Sequence, residues 1–185
     1  DIQIKQDQLL QESQILTFEK AEDLYYYVAG KIRNASKSVD DITWGNRAAF
    51  RTEAEKEAYD NYLNAIETAC KKTTIVYREV SSLSDPHYYE RAKKIIDLAT
   101  LAYNLGYYDC SSLKVPLVSY IVIDSSEVIG WFYKDTNSSS HVHGREVYIT
   151  ITNPTLVRLF NAYFTTLWER SIKIKENGKV NESLL

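Results

Sequence analysis

The chain has 185 residues, with 22 Lys and Arg against 25 Asp and Glu and a formal charge of −3. That length suits one domain with a real core. The acidic balance offers no basic field for DNA, RNA or an anionic bilayer, so nucleic acid is not an expected partner. No apolar run approaches the roughly 20 residues that span a membrane, and no signal peptide is recognisable. The two cysteines, Cys70 and Cys110, are too few for a disulfide scaffold, have no metal-site spacing and read as structural thiols in a reducing cytoplasm. The chain starts at Asp1 and holds no methionine, which suggests a piece of a longer protein.

Residues 1–16, rich in glutamine, read as a helical linker from a preceding region. Phe18, Ala21, Tyr25, Val28, Ile32 and Ala35 then recur at spacings of three and four, the pattern of one helical face. Val39 to Trp44 is a first strand, ended by Gly45 and Asn46. Thr52 and Glu55 form a capping box that starts a second helix reaching Lys71, with Tyr59, Tyr62, Leu63, Ile66 and Cys70 on its inner face. Thr73 to Val80 is rich in β-branched residues and reads as a strand. Asp85 and Pro86 cap a third helix carried by Tyr89, Ala92, Ile96, Ala99 and Tyr103, with Gly106 as its left-handed exit.

PLVSYIVIDSSEVIGWFY, from Pro116 to Tyr133, predicts two strands around a short polar turn. Arg145 to Thr152 is a further strand. Asn153 and Pro154 cap a closing helix bearing Leu156, Phe160, Phe164, Leu167 and Trp168. Residues 175–185 read as a solvated tail. Helices crossing between early strands imply an α/β fold, a mixed β-sheet sandwiched by helices.

Three segments, ASKSVDDITWG, YIVIDSSEVIGW and ITITNPTLVRLFNAYFTTLW, resemble a single domain of the phospholipase D superfamily. The likeness spans residues 17–174 and includes a glycine, Gly130, six positions after Asp124. Active members carry H-x-K-x-x-x-x-D, and Asp124 fills the aspartate position. Counting back puts Leu117 at the histidine position and Ser119 at the lysine position. The family's histidine attacks phosphorus to form a covalent intermediate, which an isobutyl group cannot do. Its lysine supplies fixed positive charge to the phosphoryl oxygens, which a serine hydroxyl cannot replace. Trp131 and Phe132 would crowd a phosphate further. The resemblance therefore implies a noncatalytic sensing, regulatory or interaction domain, because related degenerate domains serve in ligand-responsive transcription regulators. It also implies pairing of two copies, since the family commonly builds its site from two domains.

Asp124 admits two readings: a hairpin-turn residue whose carboxylate bonds nearby amides, or a remnant of the old pocket that contacts a ligand together with Trp44, Asn46 and Ser119. Trp44 follows the first strand, where open α/β sheets place ligand-contacting loops, though packing against the first helix is its ordinary fate. The ligand or partner itself, small molecule or protein, is not legible, and no motif calls for a cofactor. His141 and His143 have strand-like spacing and could bite zinc, yet no third ligand is indicated and His87 shows no sign of convergence. The pair reads better as solvated loop residues. An alternative function is a divergent phosphodiesterase or nuclease using His141 or His143.

Overall fold

The computed structural model describes residues 15–44, 50, 52–72, 74–82, 90, 93, 96, 102–109, 118–133 and 146–181. In chain order these form β1 (Ile15–Phe18), α1 (Ala21–Asn34), β2 (Ser38–Thr43), α2 (Glu53–Cys70), β3 (Val76–Ser81), β4 (Tyr103–Tyr107), β5 (Ser119–Ile123), β6 (Glu127–Tyr133), β7 (Glu146–Ile151), α3 (Pro154–Arg170), β8 (Ile172–Glu176) and β9 (Lys179–Val180). The strands make one sheet in the order β1-β7-β6-β5-β2-β3-β4-β8-β9. β2, β3 and β4 run parallel, and every other pairing is antiparallel. This is the expected mixed α/β sheet with helices on both faces.

Alternation along the strands divides the core in two. On one face α1 and α2 bury Leu24, Val28, Ile32, Tyr62 and Ile66 over Val39, Tyr77, Tyr103, Ile121 and Ile129. On the other, α3 sets Val157, Phe164, Leu167 and Trp168 over Ile42, Val80, Tyr120, Val122 and Val128. The helix starts follow the expected cap chemistry. The Thr52 hydroxyl accepts the Glu55 amide, and Asn153 Oδ1 accepts the amides of Thr155 and Leu156 ahead of Pro154.

Four expectations change. Phe18 lies in β1 rather than on the first helix, and Ile15 and Leu16 belong to that edge strand rather than to a helical linker. Tyr103 to Tyr107 is a strand, not the end of a helix; Glu90, Lys93 and Ile96 are helical, and the rest of that expected helix lies outside the described residues. Gly106 sits inside β4, paired with Val80 and Lys173. A Cβ at that position would lie 2.2 Å from Ser171 Oγ and 2.9 Å from Ser171 Cβ. Close approach of the turn after α3, not left-handed backbone, is what requires glycine there. Finally, Lys175 to Val180 continue the sheet instead of forming a solvated tail, through a hairpin whose turn places Asn177 and Gly178 at φ 51° and 77°.

Candidate functional site

The carboxyl ends of the parallel strands β2, β3 and β4 share one edge of the sheet, and Trp44 stands at the end of β2. β5 runs antiparallel to β2, with Ile42 opposite Tyr120, so the start of β5 reaches the same edge. There the Trp44 amide donates to the Ser119 hydroxyl at 3.2 Å. The structure thus brings together two of the expected site residues, but through the main chain of one of them. The Trp44 ring turns to the α3 face and packs in that core, edge-on to Tyr108, whereas Ser119 lies on the α1/α2 face.

Ser119 is flanked by Trp131, its partner on β6. Trp131 is half-buried and lies 6.2 Å from the ring of Tyr25, which in turn lies 5.5 Å and 5.8 Å from Tyr59 and Tyr62. One step below, Asp41 is buried in mid-strand. Its carboxylate accepts hydrogen bonds from Tyr77 Oη at 2.8 Å, Thr43 Oγ1 at 3.1 Å and Tyr62 Oη at 3.2 Å. The neighbourhood of Ser119 is therefore aromatic and hydroxyl-rich, with a buried carboxylate beneath it. Asp41 was missed from the sequence, although the signal was present: two consecutive acids inside the apolar strand VDDIT. The second acid, Asp40, faces α3 and is held by Arg78 through Nε at 2.7 Å and a terminal nitrogen at 2.8 Å.

Asp124 is not part of this edge. Five residue steps of β5 separate it from Ser119, about 16 Å along an extended strand. Its carboxylate accepts the amides of Ser36 at 3.0 Å, Lys37 at 2.7 Å and Ser38 at 3.0 Å, plus the Ser36 hydroxyl at 3.0 Å. Burial alone would raise its pKa, but these donors from Ser36, Ser38 and Lys37 outweigh that and hold the group below the ordinary carboxylate range. Asp124 and Ser125 adopt φ of 51° and 56°, and the Ser126 amide donates to the Ile123 carbonyl at 2.9 Å. Asp124 is thus a hairpin-turn residue, as one reading held. The amides it binds lie 86 to 88 residues earlier in the chain rather than in its own turn. A single cleft uniting Asp124 with Trp44 and Ser119 does not form.

Asn46, Leu117, Cys110, His87, His141 and His143 lie outside the described residues. Among the described residues no three His, Cys, Asp or Glu side chains gather as a metal site, and no helix is long and apolar enough to cross a membrane. Cys70 is buried, which pushes its thiol up to about 12, so it is a packing residue rather than a nucleophile.

No protein-family model matches the chain, and no curated protein matches it in sequence. Solved structures do match in shape. Nuc from Salmonella typhimurium, a phospholipase D family member, superposes with a TM-score of 0.61 at 15% identity, covering 88% of this chain and 98% of that one. NucT from Helicobacter pylori gives 0.61 at 11% identity, over 87% of this chain and 98% of its own. TrmBL2, an archaeal chromatin protein with a novel mode of DNA binding, gives 0.58 at 17% identity, over 86% of this chain and 54% of that one. The fold is therefore phospholipase D-like. At these identities the likeness speaks for the fold and not for an activity.

Proposed function

We propose that the domain is a noncatalytic phospholipase D-like module that binds a ligand or a protein partner at the carboxyl edge of its central strands. One observation carries this reading: Ser119, at the position where the resemblance expects a lysine, uses its hydroxyl to hold the Trp44 amide. A group engaged in tying two strand ends together supplies no positive charge to a phosphoryl oxygen. The neighbouring position is Leu117, which has no nucleophilic atom. The nearby carboxylate of Asp41 and the Trp131 ring on the adjacent strand also oppose a phosphate, the first by charge and the second by bulk.

What the edge does present is a half-buried aromatic, hydroxyl-bearing surface of Tyr25, Tyr59 and Trp131, backed by the buried ring of Tyr62, the kind of lining that suits a small molecule or a partner's side chain. Binding there would act by favouring one arrangement of the domain, including the pairing of two copies. The test combines thermal melting against a panel of small metabolites with sedimentation of the purified protein at rising concentration. A compound that raises the melting temperature in the wild type but not in Trp131→Ala supports the reading. A protein that stays monomeric and responds to no compound removes its support.

A further inference from the structure

The Trp44 ring lies on the side of the sheet away from Ser119, and its Nε1 is the only buried side-chain nitrogen or oxygen among the described residues without a hydrogen-bond partner. Elsewhere the buried polar groups of the central strands are well served. Asp40 holds Arg78, Asp41 takes three hydroxyls, and Glu79 takes the Tyr103 hydroxyl at 2.9 Å. An indole N–H sealed from water without an acceptor destabilises the fold, and that deficit is removed by anything that brings an acceptor to it.

One neighbour of the buried indole is itself partly exposed. Trp44 is 4% exposed and packs edge-to-face with Tyr108, with ring centroids 6.1 Å apart and an interplanar angle of 69°. The Tyr108 backbone is fixed, its amide donating to the Ser81 carbonyl at 3.0 Å, but its ring is only half-buried. On α3, Tyr163 is 39% exposed; its ring lies 6.4 Å from that of Tyr120, which in turn lies 4.9 Å from the ring of Phe160. Among the described residues no Lys or Arg is bonded to or stacked on Trp44, Tyr108, Tyr120 or Tyr163; the cation–ring contacts involve Tyr27, Tyr103, Phe164 and Trp168 instead. Among the described residues, then, nothing here offers an anion a countercharge.

We propose that this corner binds a small, neutral, planar compound bearing a carbonyl oxygen, which accepts from Trp44 Nε1 while its plane takes the edge-on place now held by the Tyr108 ring. The phenol of Tyr108 swings outward as the ligand enters. The site faces α3, on the side of the sheet opposite Ser119, so it stands independently of the function proposed above.

Benzamide is a suitable probe, since it is neutral, flat and carries one carbonyl. The chain has three tryptophans, Trp44, Trp131 and Trp168, so its indole N–H spectrum is simple, and Trp44→Phe identifies the signal of interest. Titration of the full chain with benzamide should move the Trp44 indole signal downfield to saturation and leave the other two in place. Tyr108→Ala should tighten binding several-fold, because the open arrangement no longer has to be reached. The unmoved Trp131 and Trp168 signals report that this variant is folded. The proposal is overturned if the Trp44 signal stays fixed to the solubility limit in both wild type and Tyr108→Ala. It is equally overturned if all three indoles move together, or if toluene, which lacks an acceptor, produces the same displacement.

Discussion

The carboxylate of Asp124 accepts the backbone amide of Lys37 at 2.7 Å, and the same side chain gathers the amides of Ser36 and Ser38 on either side of it. This closes the junction between the end of α1 and the start of β2 against the β5–β6 turn, where the Asp124 amide also donates to the Ser38 carbonyl at 2.9 Å. Hydrogen bonds to an ionised acceptor are the stronger kind. Asp124→Asn keeps a residue that tolerates the left-handed backbone but removes the charge and points an amide group at donors. It should cost about 2 kcal/mol in urea unfolding at neutral pH.

The same contact fixes a pH dependence. The folded-state pKa of Asp124 is lowered relative to the unfolded chain, where a free aspartate titrates at about 3.9. Its contribution is therefore complete above that value and is lost as pH falls through the lower, folded value. Unfolding free energy followed from neutral to acid pH should decline more steeply in the wild type than in Asp124→Asn, with the two curves converging at the acid end. Parallel curves would contradict the assignment.

Asp40 and Arg78 form a fork between the central strands, and the guanidinium also lies 5.0 Å from the ring of Phe164 and 5.9 Å from that of Trp168. Burial raises the Asp40 carboxyl pKa, with Arg78 pulling against it. Asp40→Leu should cost about 3 kcal/mol, because it strands a partly buried cation beneath α3. Adding Arg78→Met should recover much of that loss. A double-mutant cycle in urea measures the coupling, and strictly additive losses would show that the pair is not held as described.

At Gly106 the turn after α3 leaves no room for a methyl group. Gly106→Ala should destabilise by about 2 kcal/mol through overpacking. Ser171→Gly should relieve part of that loss in the double variant, since the Ser171 side chain supplies both of the nearest atoms. A helix-exit glycine would behave differently: its alanine variant would suffer from backbone strain, and no change at Ser171 would repair it.

That contrast shows where the sequence was legible and where it was not. The hairpin around Asp124, the Thr52 cap and the Asn153–Pro154 start of α3 are written in local chemistry, and all were readable. β4 was not, because Tyr103 continues a three-and-four apolar spacing from Tyr89 and Gly106 imitates a helix stop; pairing with β3 and β8 overrides that local pattern. The β8–β9 hairpin did carry its signal, an Asn177-Gly178 pair after alternating Ile172 and Ile174, but its position near the chain end made it resemble a tail. The site was only half readable. Spacing places Ser119 and Asp124 on one segment, yet strand length sends them to opposite ends of the sheet. Nothing local shows that Asp124 binds amides near residue 37 or that Asp41 lies under Ser119.

Ser119 offers a direct measure of its own role. With the Trp44 amide as its donor, Ser119→Ala should cost about 1 kcal/mol. Ser119→Lys should destabilise at least as much, because the amide loses its acceptor and a longer side chain must be fitted beside Trp131. Unchanged melting in both variants would show that the hydroxyl does not tie these strand ends together.

The proposal that this phospholipase D-like domain is noncatalytic stands or falls on turnover of bis(4-nitrophenyl) phosphate by the purified protein, measured with and without divalent metals. Nitrophenolate release should stay at the rate of buffer alone. Saturable release that disappears when His141 and His143 are both replaced by alanine would contradict it.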